Sequence, residues 1–270
     1  MFRSNLRRHL FDPRADRSLM SRLLIIPAAG AGSRLGADVP KVLVPVAGMT
    51  MLERLLNLYR AWVRHVILVV NPGFEDLIRR HVNDGIDGER VSCVRQKEPT
   101  GMLDAILLGD PVARRADPSS VWITWCDQIA VHSRTIARLG ERTASASHDA
   151  IVMPTVVQSR PYIHLERDSS GRIIRVLHRR EGDVMPETGE SDMGLFALSP
   201  ATYFDRLPAY AQEVEVGRGT GERNFLPFIP WLARTETVTT FSAEDSMEAV
   251  GINTPQERET VERYLLGPNP

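Results

Sequence analysis

Cysteine is nearly absent from this chain: Cys93 and Cys126 are the only two in 270 residues, and both lie inside apolar, strand-like runs. So placed, they offer neither a disulfide framework nor a zinc cluster, and read as the reduced core thiols of a cytoplasmic protein. Long apolar runs are missing as well. No stretch reaches the roughly 20 apolar residues that a membrane helix needs, so no membrane partner is expected. Nor does charge of one sign dominate. Lys and Arg number 33 against 34 Asp and Glu, a formal net charge of −1, so no global field draws the chain to nucleic acid or acidic lipid. Any anion site must be local. Apolar content of 43% and charged content of 25% fit an ordinary globular protein, and the length suits one large domain.

Residues 1–21 read as a loosely ordered N-terminal extension. They carry Arg3, Arg7, Arg8, Arg14 and Arg17 against Asp12 and Asp16, without the apolar core of a secretory signal; an amphipathic transit peptide is the alternative. From residue 22 onward no repeat, low-complexity tract or linker interrupts the pattern, so the remainder is expected to fold as one unit. Apolar runs at Leu23–Pro27, His65–Val70, Val91–Val94 and Val121–Trp125 predict buried parallel strands. Helices fit between them. Thr50 to Glu53 forms a capping box before Leu52, Leu55 and Leu56; Phe74–Val82 has helical periodicity, and a helix is expected to begin near Ser133. The alternation implies an α/β fold, an open, doubly wound and mostly parallel sheet whose ligands bind at the carboxyl ends of strands.

The second half is richer in β-structure. Ile151–Val157, Tyr162–Arg167, Arg172–Leu177 and Gly194–Leu198 predict strands, with a turn at Asp168–Gly171. Together they suggest a substrate lobe at about 150–200. Thr254 and Pro255 predict the start of a last helix reaching Leu266. Trp62, Trp122, Trp125 and Met153 read as core, and His164 and His178 lack the companions of a metal site.

The segment Leu23–Lys41, LLIIPAAGAGSRLGADVPK, carries the most chemistry. A buried strand opens into Ala28, Ala29, Gly30, Ala31 and Gly32, followed by Arg34 and Lys41. Successive exposed N–H groups in such a turn make an anion-binding concavity, and glycine lets backbone approach a ligand. A dinucleotide fold would want G-x-G-x-x-G running straight into a helix. Here the spacing is G-x-G-x-x-x-G and Pro40 intervenes. The Gly-Lys-Ser/Thr of a P-loop is absent.

The segment resembles the signature loop of the nucleotidyltransferases that join a nucleoside triphosphate to a sugar 1-phosphate. Further pieces in order strengthen the likeness. Gln96 with Pro99–Ile106, including Gly101, is similar to the base-reading element. Asp127 after Trp125-Cys126 resembles a metal-binding position, and Tyr162–Arg175 resembles a sugar-lobe hairpin. Gly189–Phe196 resembles a strand lining the sugar pocket. Gly251-Ile-Asn-Thr-Pro255 resembles a late segment whose asparagine, here Asn253, is a second metal ligand in acetylglucosamine-1-phosphate uridylyltransferases. The resemblance implies a Rossmann-like nucleotidyltransferase domain over 22–270, magnesium as cofactor, and nucleoside triphosphate and sugar 1-phosphate as substrates. It leaves homo-oligomer formation open.

The chemistry suits such residues. A phosphomonoester has its second pKa near about 6, so at neutral pH it is already a dianionic nucleophile. Catalysis reduces to alignment and charge neutralisation. Arg34 would hold the β- and γ-phosphates and Lys41 the α-phosphate or the incoming phosphate. Magnesium takes one or two oxygen ligands from protein, which Asp127 and Asn253 would supply. Asp127 as a helix cap, and Asn253 as a simple helix start, are the competing readings.

Departures from the family's pattern leave the substrates open. Gly101 is followed by Met102 where threonine is usual, so the base is open. Gln128-Ile129 follows the aspartate where x-Pro is usual. The lobe has His178-Arg-Arg-Glu181 in place of Glu-Lys, so the sugar contact falls to Glu181 or Glu190 and the place of the lysine to Arg179 or Arg180, with Asp192 at the expected asparagine and Gly194 beside it. A cytidylyltransferase-like enzyme for a non-sugar phosphate, and a non-catalytic nucleotide-binding regulator, are the rival readings.

Overall fold

The computed structural model describes residues 21–30, 35, 39–85, 90–145 and 149–267. Ala31, Gly32 and Arg34 of the expected phosphate loop, and nearly all of the N-terminal extension, lie outside the described residues.

Apolar sequence dictates the centre of the fold. Strands β1 (Arg22–Ala28), β4 (His65–Val70), β5 (Val91–Arg95) and β6 (Ser120–Thr124) run parallel in the order β5–β4–β1–β6. Two short strands, β2 (Pro45–Val46) and β3 (Met49–Thr50), pair apart from this sheet. Beyond β6 the sheet turns antiparallel. There β11 (Leu195–Leu198) lies between β6 and β7 (Ile151–Ser159), and β10 (Thr188–Asp192) continues along β7. On its other edge β7 takes β12 (Val238–Ser242) in parallel. The sheet is therefore mixed but mostly parallel, as the apolar runs predicted.

Helices cover both faces. Alternate residues of β1 enter different cores, as strand geometry requires. Leu24 and Ile26 meet Leu52, Leu55 and Tyr59 of α1 (Met51–Tyr59), while α2 (Glu75–Gly85), α5 (Ser133–Ser145) and α8 (Pro255–Leu265) close the same layer. Leu23 and Ile25 join the opposite core, built on α3 (Met102–Leu107), α4 (Asp110–Ala116), α6 (Leu207–Glu213) and α7 (Phe228–Leu232). Hairpin β8–β9 (Ile163–Arg167 and Ile173–His178) is anchored to this core by Leu165 and Ile173. Among the described residues no helix is long and apolar enough to cross a membrane.

Three local details aim the site. β1 and β6 pair in parallel, Ile25 beside Ile123, so the chains leaving them emerge at one edge of the sheet. β11 runs the other way, Leu195 opposite Thr124, which delivers Asp192–Gly194 to that same edge. Gly194 makes the bend between β10 and β11. Its φ is +61°, and a Cβ there would stand 2.8 Å from Cγ of Gln128 and meet the Trp125 ring. Only glycine fits, which is why the expected strand Gly194–Leu198 begins one residue later.

Candidate active site

Lys41 leads a single helical turn, Lys41–Leu43, that is clamped by hydrogen bonds from the Leu43 N–H to the Pro40 carbonyl (2.8 Å) and from the Val44 N–H to the Lys41 carbonyl (3.1 Å). Val42 and Leu43 are buried beneath it, so Lys41 is directed outward from the core. Its ammonium donates to Oδ2 of Asp127 at 2.5 Å and to Oδ1 of Asn253 at 2.9 Å. Asp127 lies just past the end of β6 and is 8% exposed. Gly251 lets it approach: a Cβ at that position would stand 3.2 Å from Asp127 Oδ2.

Asn253 is oriented by a helix cap. The Glu257 carboxylate accepts from the N–H groups of Asn253 (2.7 Å) and Thr254 (2.8 Å), while the Thr254 hydroxyl accepts from the Glu257 N–H (3.2 Å). This capping box holds the first turn of α8 and fixes the backbone that carries the Asn253 amide. Asn253 thus both precedes a helix and reaches the site. Three residues far apart in sequence, Lys41, Asp127 and Asn253, converge on one point.

That point opens into a cleft of about 810 Å³, lined at the near end by Pro27, Gly30, Leu35 and the converging trio. Its size is that of a small-molecule site. At Gly30 a Cβ would meet nothing within 4 Å, so the backbone there faces open space; Ala28 is buried at the strand end and Ala29 follows it. Burial pushes the Cys126 thiol up to about 12, which removes it as a nucleophile at neutral pH.

The far end is lined by Trp125, Gln158, Arg160, Tyr162, His178, Arg180, Asp192, Glu222 and Asn224. Burial drives the Asp192 carboxyl up to about 6, while the Gly194 N–H donating to its Oδ2 at 2.8 Å works the other way. Trp125, expected in the core, packs on Phe196 and Phe225 with ring centroids 5.3 and 6.0 Å away, yet also lines the cleft.

Other expected site residues serve the frame. Gln96 is buried, and its side-chain amide donates to the Gly101 carbonyl at 3.1 Å. Gly101 has φ +120°, and a Cβ there would come within 2.5 Å of the Arg223 carbonyl oxygen. Neither residue lines the cleft. They brace a turn whose Thr100 carbonyl accepts from the Arg223 N–H at 2.9 Å, which sets Glu222 and Asn224 at the cleft wall.

The two candidate sugar carboxylates are also spent internally. Glu181 accepts from the Thr220 hydroxyl (2.6 Å), the Gly219 N–H (2.7 Å) and the Asn224 amide (2.9 Å). The Thr220 hydrogen bond is the leading cause that holds its carboxyl down at about 2. Glu190 is bidentate with Arg167, both contacts 2.7 Å. Neither faces the cleft, whereas Asp192 does. His164 hydrogen-bonds the Glu190 carbonyl at 3.0 Å, and His178 lines the cleft. Arg160, Gln158 and Asn224 went unforeseen at the site, because only long-range strand and loop pairing brings them there.

Could the near end hold a metal? Among the described residues no group of three or more His, Cys, Asp and Glu side chains is placed to do so. Two oxygens, from Asp127 and Asn253, already meet around one positive charge, the Lys41 ammonium. A pair of hard oxygen donors suits magnesium, which completes its shell with water and phosphate oxygens.

Comparison with known proteins gives the chain a family. Residues 24–225 match the family described as MobA-like NTP transferase domain. The chain is 27% identical over 257 residues to the bifunctional protein GlmU of Pelotomaculum thermopropionicum, covering 91% of this chain and 52% of that protein. With GlmU of Pseudomonas putida it shares 28% over 249 residues, again 91% and 52%. With GlmU of Acholeplasma laidlawii it shares 22% over 249 residues, with the same coverage. The chain thus spans about half the length of the curated relatives it matches.

Proposed function

The chain belongs to the family of MobA-like NTP transferase domains, and from that premise we propose that it transfers a nucleotidyl group from a nucleoside triphosphate to a sugar 1-phosphate, releasing pyrophosphate. The observation that carries this reading is the convergence of Lys41, Asp127 and Asn253 at the mouth of the cleft, beside the strand end where Gly30 faces open space.

The chemistry follows from these residues. An oxygen of the acceptor phosphate attacks the α-phosphorus of the triphosphate, and the bond to pyrophosphate breaks. No general base is required, since the acceptor phosphate is already ionised at neutral pH. The chain's task is to align two polyanions and neutralise the charge that builds between them. Lys41 supplies a compact positive charge where the transferring phosphoryl group passes. Asp127 and Asn253 would hold magnesium, which supplies charge neutralisation for the phosphate oxygens. Asp192, with one oxygen on the Gly194 N–H, faces the cleft as an acceptor for sugar hydroxyls. Trp125 gives that end an apolar wall.

Pyrophosphate release across a panel of nucleoside triphosphates and phosphorylated acceptors, with and without magnesium, tests the proposal. Release is expected with at least one sugar 1-phosphate, and only with the metal present. Tight nucleotide binding without turnover of any pair would reduce the chain to a nucleotide-binding regulator.

A further inference from the structure

We infer that the acceptor carries a second anionic group, a carboxylate or another phosphate, received at the far end of the cleft by Arg160 and Arg180. The inference rests on the reading above for which end of the cleft takes the acceptor, and goes beyond it in naming the acceptor's chemistry.

The argument begins with how the lobe uses its arginines. Arg167 is held bidentate by Glu190, Arg172 pairs with Asp168 at 3.0 Å and Arg175 with Asp183 at 3.1 Å. Arg179 donates to the carbonyls of Arg160 and Pro161, both at 3.0 Å. Arg160 and Arg180 differ. Both are exposed, both line the cleft, and neither guanidinium has an ion-pair or hydrogen-bond partner among the described residues. Glu222 and Asp192 line the same cleft, yet neither forms an ion pair with them.

The segments that carry the two arginines are tied together by hydrogen bonds through Arg179. Besides the two Arg179 contacts, the Arg179 N–H donates to the Tyr162 carbonyl at 3.1 Å, and the Arg160 N–H to the Glu187 carbonyl at 2.6 Å. Arg160 itself has φ +50°, a left-handed conformation that a long side chain adopts only under strain, and such strain gathers at ligand sites. His178 also lines this wall, and its pKa is lowered chiefly by burial.

Placement along the sheet separates Arg160 from the level of Asp192, whose neighbour Gly194 packs on Trp125 and Gln128 on either side of Cys126 and Asp127. Asp192 pairs with Thr155, and Thr188 with Ser159, the residue before Arg160. Four strand residues span ~13 Å. The single phosphate of a neutral sugar phosphate is needed at Lys41 and cannot also occupy this end. Guanidinium forks match carboxylate or phosphate oxygens two at a time, and hydroxyl groups alone leave that charge unanswered.

Calorimetric titration with glucose 1-phosphate, glucuronic acid 1-phosphate and glucose 1,6-bisphosphate tests this. At least one charged probe is expected to bind roughly tenfold or more tighter than glucose 1-phosphate, and the tighter of the two identifies the anion. R180Q and R160N should each abolish most of that excess. Asparagine tolerates the left-handed backbone, so R160N removes the charge without breaking the turn, and melting temperatures verify both folds. R172Q, whose guanidinium pairs with Asp168, should keep the excess. Equal affinity for all three probes, no detectable binding of either charged probe, or an excess that survives both substitutions overturns the inference. Binding is read without turnover. A charged probe that binds but is never converted therefore counts against the transfer reaction alone, whereas conversion of glucose 1-phosphate with no preference for charge counts against the second anion alone.

Discussion

The two ends of the cleft solve opposite electrostatic problems. Asp127 and Asp192 are equally buried, each 8% exposed. Asp127 has an ammonium at 2.5 Å, whereas Asp192 has a backbone N–H and a carboxyl lifted to about 6 by burial. At the near end, oxygens from two distant segments surround a cation. At the far end, Glu181 and Glu190 are consumed in the lobe's own framework and the guanidinium groups of Arg160 and Arg180 are left over. Burial alone therefore says little about what an acidic residue does. The charge it is given, or denied, separates a cation-holding carboxylate from one that can meet a neutral hydroxyl.

The contrast is broken most severely at the near end. Asp127→Asn keeps the shape and removes the charge, and should lower kcat on the order of 10²–10³-fold, with nucleotide binding still measurable by calorimetry. Full activity in that variant would rule Asp127 out as the proposed metal ligand. Lys41→Ala should likewise act on kcat; a change confined to KM would make it a binding residue only. Next comes the bend that carries Asp192 to the cleft. Gly194→Ala forces a side chain into the left-handed region and against Trp125 and Gln128, and should cost about 2–4 kcal/mol in urea denaturation.

Asp192→Asn sharpens the comparison by removing the uncompensated charge. The folded-state pKa stands above the ordinary 3.8, at about 6, so between these values the folded chain holds more protons than the unfolded one. Stability therefore falls as pH rises through that window, and the deficit is complete above it. The variant should gain about 1–3 kcal/mol over the parent at pH 7.5 and match it below pH 4. Unfolding curves at the two pH values check the sign. Smallest is Glu181→Gln, which weakens the hold on Gly219, Thr220 and Asn224. A loss of about 1 kcal/mol is expected at neutral pH, with a raised acceptor KM. Because the Glu181 carboxyl is depressed from 4.5 to about 2, its stabilising contribution is present above 4.5 and disappears as pH falls through that interval.

Legibility in the sequence followed the same division. β1, β4, β5 and β6 lie within a residue or so of their apolar runs; in β1, β4 and β6 burial on both faces leaves that signature, whereas β5, expected to be buried, is a half-buried edge strand. The capping box at Thr50 and the helix start at Thr254-Pro255 are local chemistry and formed as expected, the second with Glu257 completing a further capping box. β10, Thr-Gly-Glu-Ser-Asp, gave no such signal, since pairing with β7 rather than apolar side chains makes it a strand. The short helices α6 and α7 also lacked a clear pattern. At the site, Lys41, Asp127 and Asn253 could be named from local context, but their meeting across 86 and 212 positions could not. Glu181 and Glu190 were named from their place in the lobe motifs that the resemblance implies. Their partners lie on other segments, at Thr220 and Arg167, and only the folded chain reveals that both carboxylates are already engaged. Arg160 and Arg180 matter for the inverse reason, the lack of an ion-pair partner among the described residues.

The most direct test follows the oxygen atoms. With the acceptor's phosphate labelled in ¹⁸O and the most active triphosphate supplied, mass spectrometry of the products distinguishes the possible bond changes. Attack by the acceptor on the α-phosphorus predicts all of the label in a nucleotide sugar, equimolar with unlabelled pyrophosphate. Unlabelled nucleoside monophosphate, labelled inorganic phosphate, or an unchanged acceptor beside bound triphosphate would contradict nucleotidyl transfer to that acceptor.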